Sequence, residues 1–360
     1  MEKFRFNLEE AAGAIGDYGT LIPIIIGVTA VTDLKLATIL FFFGIFYIGI
    51  GVYYKLPMPV EPMKAIGTIA IAGKLSSMEI VGAGVTTGLI FILIGLTGTM
   101  QYIKKSIPNS IIRGIQFGLV LKLLKTAIDF TLQTPYIGGI AIIIIIVFYF
   151  ASILDISALV VFTVGLIWGI YTHGLPPLTN FVLPELSLPS FQALKSGFWQ
   201  GTLPQLPLTL GNSVLATSLL IKDLFNREVK EDKIVTSVGI MSIISSPLGG
   251  FPMCHGAGGL AAQYRFGART GGSNIISGII LLLISFFFAS QELIQIIPYG
   301  ILGALLFFSS LQLFDSTKKT DNWLFTGLTG LLAFVIDMSI GFIIMLIIYW
   351  VKEYLTKSEE

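Results

Sequence analysis

The chain has 360 residues, 54% of them hydrophobic and 12% charged, with a formal net charge of +1 and a mean hydropathy of +0.86. Soluble domains carry roughly 25% charged residues, so this composition excludes a soluble enzyme or binding module and defines an integral membrane protein. Near-neutrality leaves no electrostatic footprint for nucleic acid, and a lone cysteine excludes an internal disulfide and a multi-cysteine metal site.

The first ten residues lack the apolar core and small-residue cleavage site of a signal peptide. From there the chain offers fourteen candidate spanning segments, at about 7–30, 36–54, 58–73, 79–100, 107–125, 137–152, 155–172, 198–221, 233–247, 250–266, 272–290, 295–313, 322–336 and 337–354, more than a hydropathy window alone would count, with twelve ordinary helices as the plain alternative. The third and tenth are short, broken and only partly apolar. With both termini on the cytoplasmic side of the cell membrane, sixteen Lys and Arg fall inside and four (Lys35, Lys74, Lys125 and Lys195) outside. Cytoplasmic loops carry the positive excess, so an even count that keeps both broken segments fits best. The inside set is Lys3, Arg5, Lys55, Lys104, Lys105, Arg113, Lys222, Arg227, Lys230, Lys233, Arg265, Arg269, Lys318, Lys319, Lys352 and Lys357.

An internal repeat runs along the chain. Gly16-Asp17 matches Gly211-Asn212, Met58-Pro59 matches Phe251-Pro252, Ile107-Pro108 matches Ile297-Pro298, and Ile153-Leu-Asp155 matches Val335-Ile-Asp337. The offsets of 195, 193, 190 and 182 drift in one direction, as small deletions produce. Each unit holds seven segments, an odd number, so the copies are inverted. The expected fold is therefore an all-α polytopic membrane protein of two inverted seven-segment repeats, residues 1–173 and 198–360, joined by the Pro- and Leu-rich linker 174–197.

The broken segments occupy equivalent places. In Pro57-Met-Pro-Val-Glu-Pro-Met-Lys and in Ser246-Pro-Leu-Gly-Gly-Phe-Pro-Met-Cys-His-Gly-Ala-Gly-Gly, proline and glycine oppose a continuous helix. Each reads as an extended piece followed by a half-helix, the second beginning at His255 or Gly256. Half-helix N-termini offer unpaired N–H donors and roughly +0.5 of dipole charge. Paired in two inverted halves they point to a transporter's binding site, here for an anion. The expected lining is Asp17, Glu61, Met63, Lys64, Asn212, Ser213, Cys254, His255, Gly256, Ala257 and Gly258.

Glu61 and Lys64 share a helix face, as a substrate-facing pair or as a purely structural one. His255 stands at the second half-helix start, to donate to an oxyanion, to carry a proton, or to cap the helix. Arg113 and Gln116 share a face at the end of the fifth segment, where they guard a vestibule unless Arg113 is a snorkelling anchor. Gln263 and Arg265 lie farther along the second half-helix, with Arg265 a charge of the gate, as is Arg269. Cys254 and His255 lack any base or second ligand, so no catalytic constellation, metal site or cofactor is expected.

These motifs resemble a known family. Asn7-Leu-Glu-Glu-Ala-Ala-Gly-Ala-Ile-Gly-Asp-Tyr-Gly, Pro59-Val-Glu-Pro-Met-Lys-Ala, Arg113-Gly-Ile-Gln, Gly211-Asn-Ser-Val and Pro252-Met-Cys-His-Gly-Ala-Gly-Gly-Leu-Ala-Ala-Gln-Tyr-Arg are similar to the molybdate transporters, a branch related to the sulfate permeases. The resemblance implies the uracil permease and sulfate permease fold. It implies a core of segments within 7–100 and 198–290, and a gate of segments within 107–172 and 295–354. It further implies molybdate uptake, with sulfate as the related substrate. Sulfate permeases end in a cytoplasmic regulatory domain, whereas this sequence stops after Glu360, as expected of the molybdate branch. The proton-coupling acid of the uracil permease relatives corresponds to neutral Asn212, which leaves Asp17, Glu61 or His255 to couple protons. The sequence reading is thus a secondary carrier of tetrahedral oxyanions working by elevator-like movement, in a lipid bilayer and as a possible homodimer. A carrier of sulfate, another anion or a nucleobase, a passive anion channel and a membrane-embedded enzyme are the rival readings.

Overall fold

The computed structural model describes residues 4–103, 107–151, 154–179, 181 and 183–359. The sequence readings on Lys3, Lys104, Lys105 and Ile153, and on the side chains of Asp155 and Lys357, lie outside the described residues.

In the first half, α1 (Leu8–Ala14) and α2 (Tyr18–Val31) are separated by a turn at Ile15-Gly16-Asp17, and α3 spans Leu36–Tyr54. An extended piece containing strand β1 (Glu61–Pro62) leads into the half-helix α4 (Lys64–Ile71). There follow α5 (Ser77–Thr97), α6 (Asn109–Thr131), α7 (Pro135–Phe150) and α8 (Leu154–His173). The second half opens with one long helix, α9 (Phe191–Phe225). Then come α10 (Glu231–Ser245), strand β2 (Met253–Cys254), the half-helix α11 (Ala257–Arg265) and α12 (Gly272–Phe287). The chain ends with α13 (Tyr299–Thr317), α14 (Trp323–Val335) and α15 (Met338–Glu359). Among the described residues, seven spans are long and apolar enough to cross a membrane, one of them running from α1 through the turn into α2, and three apolar helices are shorter.

Three boundaries differ from the hydropathy reading. The first segment is not one helix but two. Residues 191–197 of the expected linker belong to α9, because Ser190 caps them by accepting from the Ala193 N–H. Inside α9, Pro204 and Pro207 deny N–H groups to the helix, and the backbone widens to π-turns over Phe198–Thr202 and Thr209–Ala216. Such widening re-satisfies a helix that proline would otherwise break. The fifth segment also runs past Lys125 to Thr131.

The halves interlock around a pseudo-two-fold. Helix α3 crosses α12 where Gly44 meets the backbone of Gly278, and α5 crosses α10 where Gly88 meets the backbone of Gly239. Gly44 and Gly239 are 195 positions apart and Gly88 and Gly278 are 190 apart, within the drift of the repeat motifs. The two crossings are thus one contact made twice, with small residues letting backbones approach in place of a hydrophobic driving force. The two strands pair antiparallel, Glu61 opposite Cys254 and Pro62 opposite Met253. Glu61 and Cys254 are themselves repeat equivalents at offset 193, so the axis passes through this ladder.

Buried polar links fix the surrounding helices. The Glu10 carboxylate, nearly inaccessible, accepts from the N–H groups of Arg269, Thr270 and Ser273 and from the Thr270 hydroxyl, docking α1 on the start of α12. A Ser76–Glu79 capping box starts α5, a device worth about 1 kcal/mol.

Candidate functional site

The ladder brings two half-helix starts together at the centre of the fold. Helix α4 begins at Lys64 and α11 at Ala257, equivalent positions at offset 193. Gly256 is the N-cap of α11, so the helix starts one residue later than the later of the two expected starts.

The donors at these starts are not equally available. The Met63 N–H is spent on the Pro252 carbonyl (3.0 Å) and the Ala65 N–H on the Gln205 amide oxygen (2.8 Å). Gln205 is itself held by Thr209 (2.9 Å). Backbone donors at Met63, expected to face substrate, are therefore closed. At α11, the Gly259 N–H donates to Glu61 Oε1 (3.1 Å), and a Cβ on Gly256 would overlap the same carboxylate. The protein's own Glu61 thus fills part of the anion cradle that the sequence pattern assigned to a ligand. A carboxylate from one repeat caps the half-helix of the other, where dipole and free N–H groups favour it.

Lys64 completes the arrangement, with Nζ 2.9 Å from Glu61 Oε2. Glu61 is 1% exposed and the Lys64 side chain 18%, so the pair is buried at one end and open at the other. Asp17, 1% exposed, stands beside it: Oδ2 accepts from the Tyr47 hydroxyl (3.0 Å), while Oδ1 has no hydrogen-bond partner among the described residues. A Cβ on Gly259 would overlap both the Asp17 and Glu61 carboxylates, so the two acids meet against that glycine.

The open end of Lys64 faces a cavity of about 620 Å³, lined also by Thr20, Asn212, Gly258 and Arg265, and across from them by Tyr149, Phe150, Gln312, Asp315 and Ser316. Gly258 is exposed and a Cβ there would meet nothing within 4 Å. Two opposed walls are joined where the Thr20 hydroxyl donates to the Gln312 amide oxygen (3.2 Å). Asp315 accepts from Tyr149 (3.0 Å) and pairs with Lys318 (2.8 Å), which keeps its charge from standing alone against an anion.

Of the expected lining, Lys64, Asn212, Gly258 and the gate charge Arg265 share this cavity, with Asp17 and Glu61 directly behind it. His255 does not reach it. Its Nδ1 donates to the Pro59 carbonyl (2.7 Å), and its Nε2 lies 2.8 Å from the Ser237 hydroxyl, itself 2.9 Å from the Tyr54 hydroxyl. Fully buried and held at both nitrogens, the imidazole ties the extended pieces to α10 rather than facing a ligand. Cys254 is buried with Sγ toward the Pro62 carbonyl, Ser213 is nearly inaccessible, and Ala257 is partly exposed.

Arg113 donates to Gln116 (3.0 Å) and Asn109 (3.2 Å) and lines a separate crevice of about 300 Å³ with Gly211 and Leu215. Gln263 is wholly buried, its amide without a partner among the described residues. Arg269 lies over the Tyr264 ring, 3.7 Å from its centroid. Thr20, Tyr149, Phe150, Gln312, Asp315 and Ser316 were missed by sequence reasoning. Gln312 and Asp315 carried a signal, two polar residues three apart in an apolar helix.

Inverted repeats, adjoining half-helices and a polar cavity beside them define a multi-pass membrane transporter, and solved structures share the fold. The transmembrane domain of a cyanobacterium bicarbonate transporter, BicA, matches 96% of this chain and 98% of its own, with TM-score 0.67 and 18% identity. Murine solute carrier 26 family member A9, an anion transporter in the inward-facing state, matches 99% of this chain and 70% of its own, with TM-score 0.73 and 10% identity. The family described as "Molybdate transporter of MFS superfamily" matches residues 9–123 and 197–313, one block in each half. Molybdate transporter 1 of Arabidopsis thaliana is 31% identical over 98% of this chain and 90% of its own length. Molybdate transporter 2 of the same plant is 32% identical over 87% of this chain and 79% of its own. The chain belongs to the molybdate transporter family.

Proposed function

We propose that this protein imports molybdate across the cytoplasmic membrane as a secondary active carrier, with both termini inside. The observation that carries the reading is the meeting of Lys64, the open Gly258 end of α11 and Arg265 around one cavity. Two cations and a helix N-terminus suit a tetrahedral dianion, and the relatives named above are molybdate transporters. Sulfate, the other tetrahedral dianion, is the second reading; cavity size and donor spacing discriminate between them.

The packing supports an elevator-like movement. The helices of 7–100 and 198–290 form a core that carries Lys64 and Gly258, and those of 107–172 and 295–354 form the gate that supplies Gln312 and Asp315. Sliding of core against gate would expose the site to each side in turn, an elevator.

Proton coupling has a place in this scheme. One lysine faces two buried carboxylates, Asp17 and Glu61, so the fully ionised trio carries net negative charge where a dianion must approach. A proton on the carboxylate pair removes that charge, and Asp17, whose Oδ1 accepts no hydrogen bond, is its carrier. The test is uptake of labelled molybdate or sulfate by the purified protein in liposomes, with and without an inward proton gradient. Molybdate accumulation that the gradient enhances is expected. Asp17→Asn should abolish the enhancement while leaving downhill exchange measurable, and uptake indifferent to the gradient in the native protein would remove the coupling scheme.

A further inference from the structure

The repeat that builds the cavity described above specifies what the equivalent place in the other half holds. Helices α6 and α13 follow Pro108 and Pro298, which have nearly the same backbone (φ −63°, ψ 143° and φ −59°, ψ 138°). That fixes their equivalence at an offset of 190 and makes Lys122 the counterpart of Gln312. The two helices pack antiparallel, Gly303 lying against Ala127 and Thr131. Lys122 and Gln312 therefore stand close to the crossing, each displaced slightly toward the C-terminal end of its own helix.

Their surroundings correspond as well. Gln312, Asp315 and Ser316 line the cavity, near the Arg265 end of α11; their counterparts are Lys122, Lys125 and Thr126, and Lys74 follows the end of α4. Gln312 is half-buried, whereas Lys122 is only 7% exposed. The difference is that of a gate helix uncovered on one face and covered on the other. Among the described residues Lys122 has no carboxylate at ion-pair distance, and the charged groups around it are Lys74 and Asp337. An intramembrane lysine with no ion-pair partner marks a pathway by default.

We propose that Lys122 is the anion contact of the alternate state. When the cavity on the Gln312 face closes, an equivalent one opens on the face that the charge bias assigns to the outside. There Lys122, with Lys74 behind it, receives the tetrahedral dianion before it settles against Lys64. The two faces then differ in charge: Lys122 and Lys125 draw the dianion in, while Gln312 and the Lys318-paired Asp315 hold it weakly and let it leave. This rests on the carrier function proposed above.

The test is Lys122→Gln, which gives both faces the same residue, in proteoliposomes loaded for uptake or for efflux. The half-saturating molybdate concentration for uptake from the Lys122 face should rise about ten-fold, as losing one charge-assisted contact does. That for efflux from the Gln312 face should stay within about two-fold, and Lys122→Arg should restore most of the loss. Unchanged uptake kinetics, or equal losses in both directions, would overturn the proposal, as would an Asp337→Asn chain that reproduces the defect through a merely structural pair. Native vesicles that move neither molybdate nor sulfate would defeat the carrier function first. Lys122 is then decided by Lys122→Cys in a Cys254→Ser chain: labelling by an impermeant thiol reagent from the face opposite the cavity supports a second opening, and protection from both faces refutes it.

Discussion

Helices α4 and α11 start at equivalent places in the two halves, yet they do different things. At α4 the backbone donors are consumed, by Pro252 through the ladder and by Gln205, and the charge comes from a side chain, Lys64. At α11 the side chains are absent: Gly256, Gly258 and Gly259 leave the backbone bare, Glu61 takes the inner donor, and the outer end faces the cavity. Duplication supplied two helix N-termini, and divergence gave one half the cation and the other the open backbone. Glu61 links them, pairing with Lys64 in its own repeat and with Gly259 in the other.

The comparison breaks first at that link. Glu61→Gln leaves Lys64 without its partner and weakens the Gly259 bond, so uptake is expected to fall at least about 100-fold and stability by about 2–4 kcal/mol. Uptake normalised to folded protein, alongside melting in detergent, checks both, and near-native values would mean the carboxylate does not join the halves. Next in size, Lys64→Ala should raise half-saturation about 10- to 100-fold with a smaller stability loss, since its own ammonium is partly exposed. Unchanged affinity would take Lys64 out of the site.

Two neighbouring glycines sharpen the contrast within α11. Gly258→Val projects into open space and should raise half-saturation about ten-fold at native melting temperature. Gly259→Ala drives a methyl into the Asp17 and Glu61 carboxylates and should destabilise the protein instead. If both variants behave alike, the cavity does not end at Gly258. The smallest functional effect is expected at His255. His255→Gln loses bonds to Pro59 and Ser237, lowering stability by about 1–3 kcal/mol, while half-saturation moves less than about two-fold. A large affinity loss there would return the imidazole to the substrate site.

Much of this was legible in residue order. Composition fixed the membrane environment, because apolar runs such as Ile137–Ala151 have no other stable surroundings. The drifting offsets fixed the inverted repeat, and Gly/Pro chemistry at Pro57–Lys64 and Gly249–Gly259 fixed the two breaks, since proline lacks a donor whatever surrounds it. These are local or periodic properties, carried by each residue with its neighbours.

The direction in which each polar group is spent is not local, and only the tertiary structure decided it. His255 and Glu61 look equally suited to a ligand in sequence; the fold turns one onto Pro59 and Ser237 and the other onto Gly259. Gln312 and Asp315 join the cavity only because α13 crosses beside α2, far from them in the chain. A buried donor must be satisfied by whatever packing brings near, and partners such as Glu61 and Gly259 or Thr20 and Gln312 lie 198 and 292 residues apart, beyond the reach of any local pattern.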